Sequence, residues 1–162
     1  MGSEKDNPIK IFINYRFRHN GYIDINNLFK EIPKWFNGFE YDFWEKGLGQ
    51  KDIGIGKEYA SDWTASREVN NYIQFKIDVK LFIKNINKVE VNDEKRFRAE
   101  AEVYFSSEMQ KNYRGTFPKN KFGEILRHIY ERYIRYHELV EYEDKLAAEC
   151  VDLLNLIKGN FE

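Results

Sequence analysis

From Tyr72 to Lys84 the chain alternates with a period of two. Ile73, Phe75, Ile77, Val79, Leu81 and Ile83 fall on one face, and Gln74, Lys76, Asp78, Lys80 and Lys84 fall on the other. From Asn120 the rhythm changes: Phe122, Leu126, Ile129, Tyr133 and Tyr136 recur every three or four residues, and Leu139, Tyr142, Leu146, Cys150, Leu153 and Ile157 continue the stripe. A period of two places apolar groups on one side of a pleated strand, and a period near 3.6 places them on one side of a helix. A chain that changes once from the first pattern to the second is expected to be α+β: a curved antiparallel sheet closed by a long C-terminal helix packed on one face.

The rest of the chain fits that frame. Ile9, Ile11, Ile13, Tyr15 and Phe17 alternate with Lys10, Asn14, Arg16 and Arg18, the pattern of a first strand. Asp24 is placed to cap a short helix over 25–37, with Leu28, Phe29, Ile32, Trp35 and Phe36 at helical spacing and Pro33 as a source of a kink. Strands are expected over 39–46 and 53–66, joined by a hairpin loop at Gly47–Asp52. Further strands are expected over 72–84, around Val89 and Val91, over 97–105 and over 109–117, so the sheet should hold about six to seven. Glycines at 54 and 56 suggest a bulge. A single helix over 121–158 would be about 57 Å long, longer than such a sheet is wide, so a bend near Arg135 to Glu138 or a protruding C-terminal half is expected. Residues 1–7 are expected to form a frayed tail, and 8–162 one domain.

Composition excludes several classes. With 26 basic and 27 acidic residues the net charge is −1, which lacks the concentrated positive field that nucleic-acid binding uses; nucleic acid is not expected as a partner. No apolar run approaches the length of a membrane span. The single cysteine, Cys150, cannot form an intramolecular disulfide and is expected to be a buried thiol in a reducing, cytoplasmic setting. MGSEKDNP has no apolar core of the kind a secretory signal needs.

No catalytic or metal motif stands out, and no cofactor is expected. Gly47-x-Gly49 and Gly54-x-Gly56 lack the strand-before, helix-after context of a phosphate loop. Glu124 and His128 share a helix offset suited to a metal but have no third ligand, and His128 and His137 project from opposite faces. The first half of the long helix is basic (Lys121, Arg127, Arg132, Arg135) and the second acidic (Glu138, Glu141, Glu143, Asp144, Glu149, Asp152). Two copies laid antiparallel would match opposite signs, which raises a homodimer through this helix; a solvated helical face is the plainer account.

The order of elements, strand, helix, antiparallel strands and long C-terminal helix, resembles the helix-grip layout of the START-like (SRPBCC) superfamily, with about five strands in the middle where that superfamily usually has six. Tyr22-Ile23-Asp24 with Leu28, Phe29 and Trp35, Tyr41-x-Phe43-x-Glu45-Lys46, Trp63-Thr-Ala-Ser-Arg67-Glu68-Val69 leading into Tyr72-x-x-Phe75, and Tyr142-Glu143-Asp144-Lys145-Leu146 are similar to a family of small archaeal proteins that has no assigned activity and lends no functional residues.

Three functions emerge as expectations. The first is a binding module for a small apolar or amphipathic ligand, in an aromatic-lined cavity between sheet and C-terminal helix. Trp44, Tyr59, Trp63, Tyr72 and Tyr104 would form its walls, Arg67 would orient a polar head, and Ala99, Ala101, Gly54 and Gly56 would leave room. Arg67 and Glu68 have a plainer account as an ion pair among aromatics. The second is an interaction or assembly module acting through residues 136–158. The third is an enzyme, cyclase- or hydrolase-like, in the same cavity.

Overall fold

The computed structural model describes residues 8–53, 56–111, 113–114, 120–134 and 136–162. Its elements are β1 (Ile9–Ile23), α1 (Ile25–Gly38), β2 (Asp42–Ile53), β3 (Gly56–Glu68), β4 (Ile73–Val91), β5 (Glu94–Lys111), α2 (Lys121–Ile129), a π-helical segment (Tyr130–Ile134) and α3 (Tyr136–Lys158). The five strands form one antiparallel sheet in the order β1-β5-β4-β3-β2. The first strand therefore lies beside the last, and β1 and β2 are the two edges.

The sheet has five strands where six to seven were expected, because two pairs of expected strands are each one continuous strand. Asn85 takes a left-handed conformation (φ 52°) and the β4–β5 register shifts between Lys84 and Asn87. The residues on either side thus belong to one strand of 19 residues. Asn tolerates that conformation better than other non-glycine residues, so it can bend a ladder without ending it. The expected strands at 97–105 and 109–117 merge into β5, which pairs with β4 in unbroken register from Phe105 to Met109 and ends at Lys111; residues 115–119 lie outside the described residues. Gly47 and Gly49 mark a register shift inside β2 rather than a hairpin loop. The true connection falls at residues 54 and 55, outside the described residues, as does the bulge expected at Gly54.

Bulging also rewrites β1. Its register against β5 shifts between Lys10 and Phe12 and again between Phe12 and Tyr15, where Asn14 has φ 46°. Phe12 then packs edge-on to Phe105, with ring centroids 5.5 Å apart, and Ile13, expected to face the core, is 67 % exposed.

One face of the sheet carries the core. Trp63, Ala65, Phe75, Ile77, Val79, Leu81, Ile83, Ala101, Val103, Phe105 and Met109 are buried there with Leu28, Ile32 and Phe36 of α1 and Leu146, Cys150, Leu153 and Ile157 of α3. Asp24 caps α1 as expected, accepting from the Asn27 backbone N–H at 3.1 Å. The chain closes on itself at its end: Tyr22 and Glu162 exchange backbone hydrogen bonds of 3.1 and 2.8 Å.

The expected single C-terminal helix is divided. A π-helical segment closes its hydrogen bonds one residue later than an α-helix and so rotates the phase of the residues beyond it. The apolar stripe read as continuous is consequently split. Its second part, from Leu139 to Ile157, is buried, while Phe122, Leu126 and Ile129 are exposed. The bend expected near Arg135 to Glu138 begins at residue 135, which lies outside the described residues, as do the Tyr133 and Tyr136 side chains.

Candidate functional site

The six residues expected to line one cavity lie on both sides of the sheet. Trp63 is fully buried on the helix-covered face, 5.6 Å from the Phe29 ring, and Tyr59 is half-buried beside the same ring at 6.2 Å. Arg67 and Tyr72 are on that side too, each tied into a different polar knot. Trp44 and Tyr104 are on the opposite, helix-free face. Trp44 pairs with exposed Thr64 across β2 and β3 and is 70 % exposed. Tyr104 donates to Glu102, packs edge-on to Phe82 and has the Arg16 guanidinium over its ring. Ala99 and Ala101 are buried in the core.

The first knot joins sheet to α3. The Arg67 guanidinium donates to both Glu149 carboxylate oxygens (2.8 and 3.1 Å) and to the Phe39 carbonyl (2.7 Å). Tyr41 donates its hydroxyl to Glu149 at 2.7 Å, and Arg67 lies over the Tyr41 and Phe75 rings. Burial, reinforced by the Glu149 carboxylate, pushes the Tyr41 phenol far above its ordinary range. Nearby, the Trp35 indole N–H donates to Asp152 at 2.7 Å. Every Arg67 contact named here is internal, so the guanidinium holds α3 to the sheet. Its spacing from Glu149, 82 residues, explains why the sequence suggested only its neighbour Glu68; that carboxylate pairs instead with Arg114.

The second knot anchors the π-helical segment. Glu131 accepts from the Tyr72 hydroxyl, from Lys111 (3.2 Å) and from Arg127 (3.2 Å). Burial works to raise the Glu131 carboxyl, but these donors outweigh it and hold it below the usual carboxylate range. Burial and the Glu131 contact raise the Tyr72 phenol. Tyr130 packs edge-on to Tyr72 at 5.6 Å.

This anchoring turns α2 inside out. Its polar side, Arg127 with Glu131 just beyond, is the side attached to the body, and Gly123 is its one buried residue. Its apolar side, Phe122, Ile125, Leu126 and Ile129 at positions i, i+3, i+4 and i+7, is 67, 58, 40 and 44 % exposed. A surface helix normally does the reverse. Contiguous apolar surface of a few hundred Å² marks an interaction site more often than an accident. The stripe was visible in the sequence; its direction was not, because that is set by Tyr72 and Lys111 on the sheet.

Clefts among the described residues are open and polar. One of about 470 Å³ lies between the start of α1 and the chain end, lined by Asn26, Asn27, Lys95, Arg96 and Glu162 among others. Another of about 350 Å³ on the helix-free face is lined by Asn14, Asp62, Asp78, Lys80, Tyr104 and Ser106. Burial raises the Asp78 carboxyl there, with Thr64 opposing and Asp62 adding. Among the described residues no group of three or more His, Cys, Asp or Glu is arranged to hold a metal ion, and no helix is long and apolar enough to cross a membrane.

The chain matches no protein-family model, no curated protein and no solved structure.

Proposed function

We propose that this protein is an interaction module whose working surface is the apolar face of α2. The reading is carried by one observation: an amphipathic helix held to the body through its polar side, with Phe122, Ile125, Leu126 and Ile129 facing water. Keeping such a face exposed forgoes about 25 cal/mol for each Å² left in water, a cost that a partner recovers on docking. The surface lies at 121–129, ahead of the 136–158 stretch expected from sequence. The Ile125→Asp/Ile129→Asp double variant tests it. The variant should melt like the wild type while losing binding of an apolar-surface dye. An early or uncooperative melt would place the stripe inside the core and end the reading.

A ligand-binding role within the core is the second reading. It is favoured by the Trp63 indole N–H, fully buried on the core face without a hydrogen-bond partner among the described residues. A small polar or amphipathic ligand would supply the acceptor. The helix-grip-like layout, with β1 beside β5 and α1 and α3 against the same face, supports this reading, as would kinship with START-like proteins. Native mass spectrometry of the purified chain tests it: retained mass that disappears in Trp63→Phe supports the pocket, and retained mass that persists in that variant removes it.

A further inference from the structure

We infer that the outer edge of β1, from Arg16 to Asn20, is a docking slot for an extended peptide strand of a partner, with acidic residues at alternate positions and apolar ones between them. This surface is separate from α2. β1 is an edge of the sheet, with β5 as its neighbour. Its C-terminal end is already paired on the outer side: Tyr22 exchanges both backbone bonds with Glu162, Asp24 donates to the Asn160 carbonyl at 3.0 Å, and Ile23 forms an antiparallel bridge with Phe161. In an antiparallel ladder every second residue turns its N–H and C=O to the same side, and β1 keeps an unbroken register with β5 from Tyr15 to Ile23. Asn20, Arg18 and Arg16 therefore present their backbone groups to the same outer edge as Tyr22. No backbone partner meets them there among the described residues, and all three residues are exposed. The register shift between Phe12 and Tyr15 ends the slot.

The chemistry of the occupant follows from the residues already on this edge and from those beside its open part. Phe161 turns to the helix side, stacked on His19 at 5.1 Å and 5.8 Å from Phe17. Glu162 turns to the helix-free side and accepts from Arg96 at 2.6 Å. The edge beside Tyr22 thus holds an aromatic on one side and an acid on the other. The β1 row continues in the same sense, with Arg18 and Arg16 on the helix-free side and Phe17 and Tyr15 on the helix side, where Lys158 lies over both rings. Arg16 and Arg18 share a single carboxylate, Glu102 on β5, so the pair keeps a surplus positive charge at the rim. Glu100 is one strand further in, opposite Lys84. A strand laid antiparallel in the slot would set one acid opposite Arg18, another opposite Arg16, and an apolar side chain between them beside Phe17. Main-chain bonds would supply its affinity and the alternate side chains its selectivity. A second copy is a poor occupant. Two-fold pairing of β1 with β1 inside the slot sets Arg16 or Arg18 against an arginine of the other copy, or runs Arg16 onto Tyr22, where Glu162 already sits.

Fluorescence anisotropy of the full chain with two blocked, labelled peptides, VEFEVE and VKFKVK, tests the slot. VEFEVE should bind, more weakly at high salt, and VKFKVK should bind about tenfold more weakly than VEFEVE. Arg18→Pro removes an outward N–H and leaves the bonds to β5, made by Phe17 and His19, in place; proline is tolerated at such edge positions. This variant should melt cooperatively and lose about tenfold or more in VEFEVE binding. Arg16→Glu/Arg18→Glu changes no backbone group and should reverse the preference toward VKFKVK. A wild type that binds neither peptide, or both alike, overturns the inference. VEFEVE binding that persists unchanged in the double variant, or in a cooperatively melting Arg18→Pro, overturns the edge as its site. Sedimentation showing a wild-type dimer that Arg18→Pro abolishes would make a second copy the occupant and overturn the acidic peptide.

Discussion

Glu149 on α3 accepts two hydrogen bonds from the guanidinium of Arg67 on β3, and the two side chains are only 7 and 13 % exposed. A buried pair of this kind stabilises little relative to a well-packed apolar pair, but half of it left alone is costly. Glu149→Ala should therefore destabilise the protein by about 3–5 kcal/mol, with Arg67 stranded and Tyr41 losing its acceptor. Joint replacement, Arg67→Met with Glu149→Leu, should recover most of the loss. Urea unfolding of the single and double variants gives the comparison; equal losses in both would show that the charges are not what matters there.

Stability should fall in alkali. Burial pushes the Cys150 thiol from its ordinary 9.0 up to about 12. The Tyr41 and Tyr72 phenols, ordinarily near 10.0, are also raised, by burial first and then by Glu149 and Glu131 respectively. Each group holds its proton more tightly folded than unfolded. Its contribution is therefore complete below the unfolded value and is lost as pH climbs toward the folded one. Loss should begin near pH 9 through Cys150 and steepen above pH 10 through the two phenols. Urea midpoints measured from neutral pH into alkali should show Cys150→Ala delaying the onset and Tyr41→Phe flattening the steep part. A flat wild-type profile would contradict the burial of all three groups. The native thiol should also resist alkylation until the protein unfolds.

The β1 bulge is clamped from β5. The Asn14 backbone N–H donates to the Ser106 hydroxyl at 3.1 Å, and that hydroxyl donates to Asn14 Oδ1 at 3.2 Å. Ser106→Ala should cost about 1 kcal/mol. At Asn85, with φ 52°, glycine should be tolerated and valine should cost about 1–2 kcal/mol. Thermal melts of the three variants check the ranking.

Gly21 has no room for a side chain. An added Cβ would stand 2.5 Å from the Glu162 carbonyl oxygen, which accepts the Tyr22 N–H. Gly21→Ala should cost about 1–3 kcal/mol through this overpacking. Hydrogen exchange should speed up at the Tyr22 and Glu162 amides while those of β4 stay protected; unchanged exchange at both would mean the chain end had moved aside freely.

Legibility in the sequence tracked the range of the interactions involved. Alternation from Ile73 to Ile83 and the buried run from Leu139 to Ile157 were readable because each is a local rhythm set by one partner surface. Asn85 and Asn14 were misread, one as falling between two strands and the other as part of a regular strand, since a left-handed Asn looks the same in sequence whether the ladder ends or bends. Trp63 and Tyr104 were placed in one pocket although they face opposite sides, because aromatic type says nothing about side where both faces carry large rings. The direction of α2 was hidden for a related reason: Glu131 answers to Tyr72 and Lys111, distant in sequence, and no periodicity records that.

β1 precedes the other four strands in the chain, yet its neighbour in the sheet, among the described residues, is β5, with Ile9 opposite Met109. The β2–β3, β3–β4 and β4–β5 ribbons join strands adjacent in the chain and can zip as they emerge, while this 15-residue strand must wait for nearly the whole sheet to be synthesised. Such distant closure places folding on the millisecond-to-second scale, and a nascent chain halted before residue 94 would carry an orphan strand open to any passing β-edge.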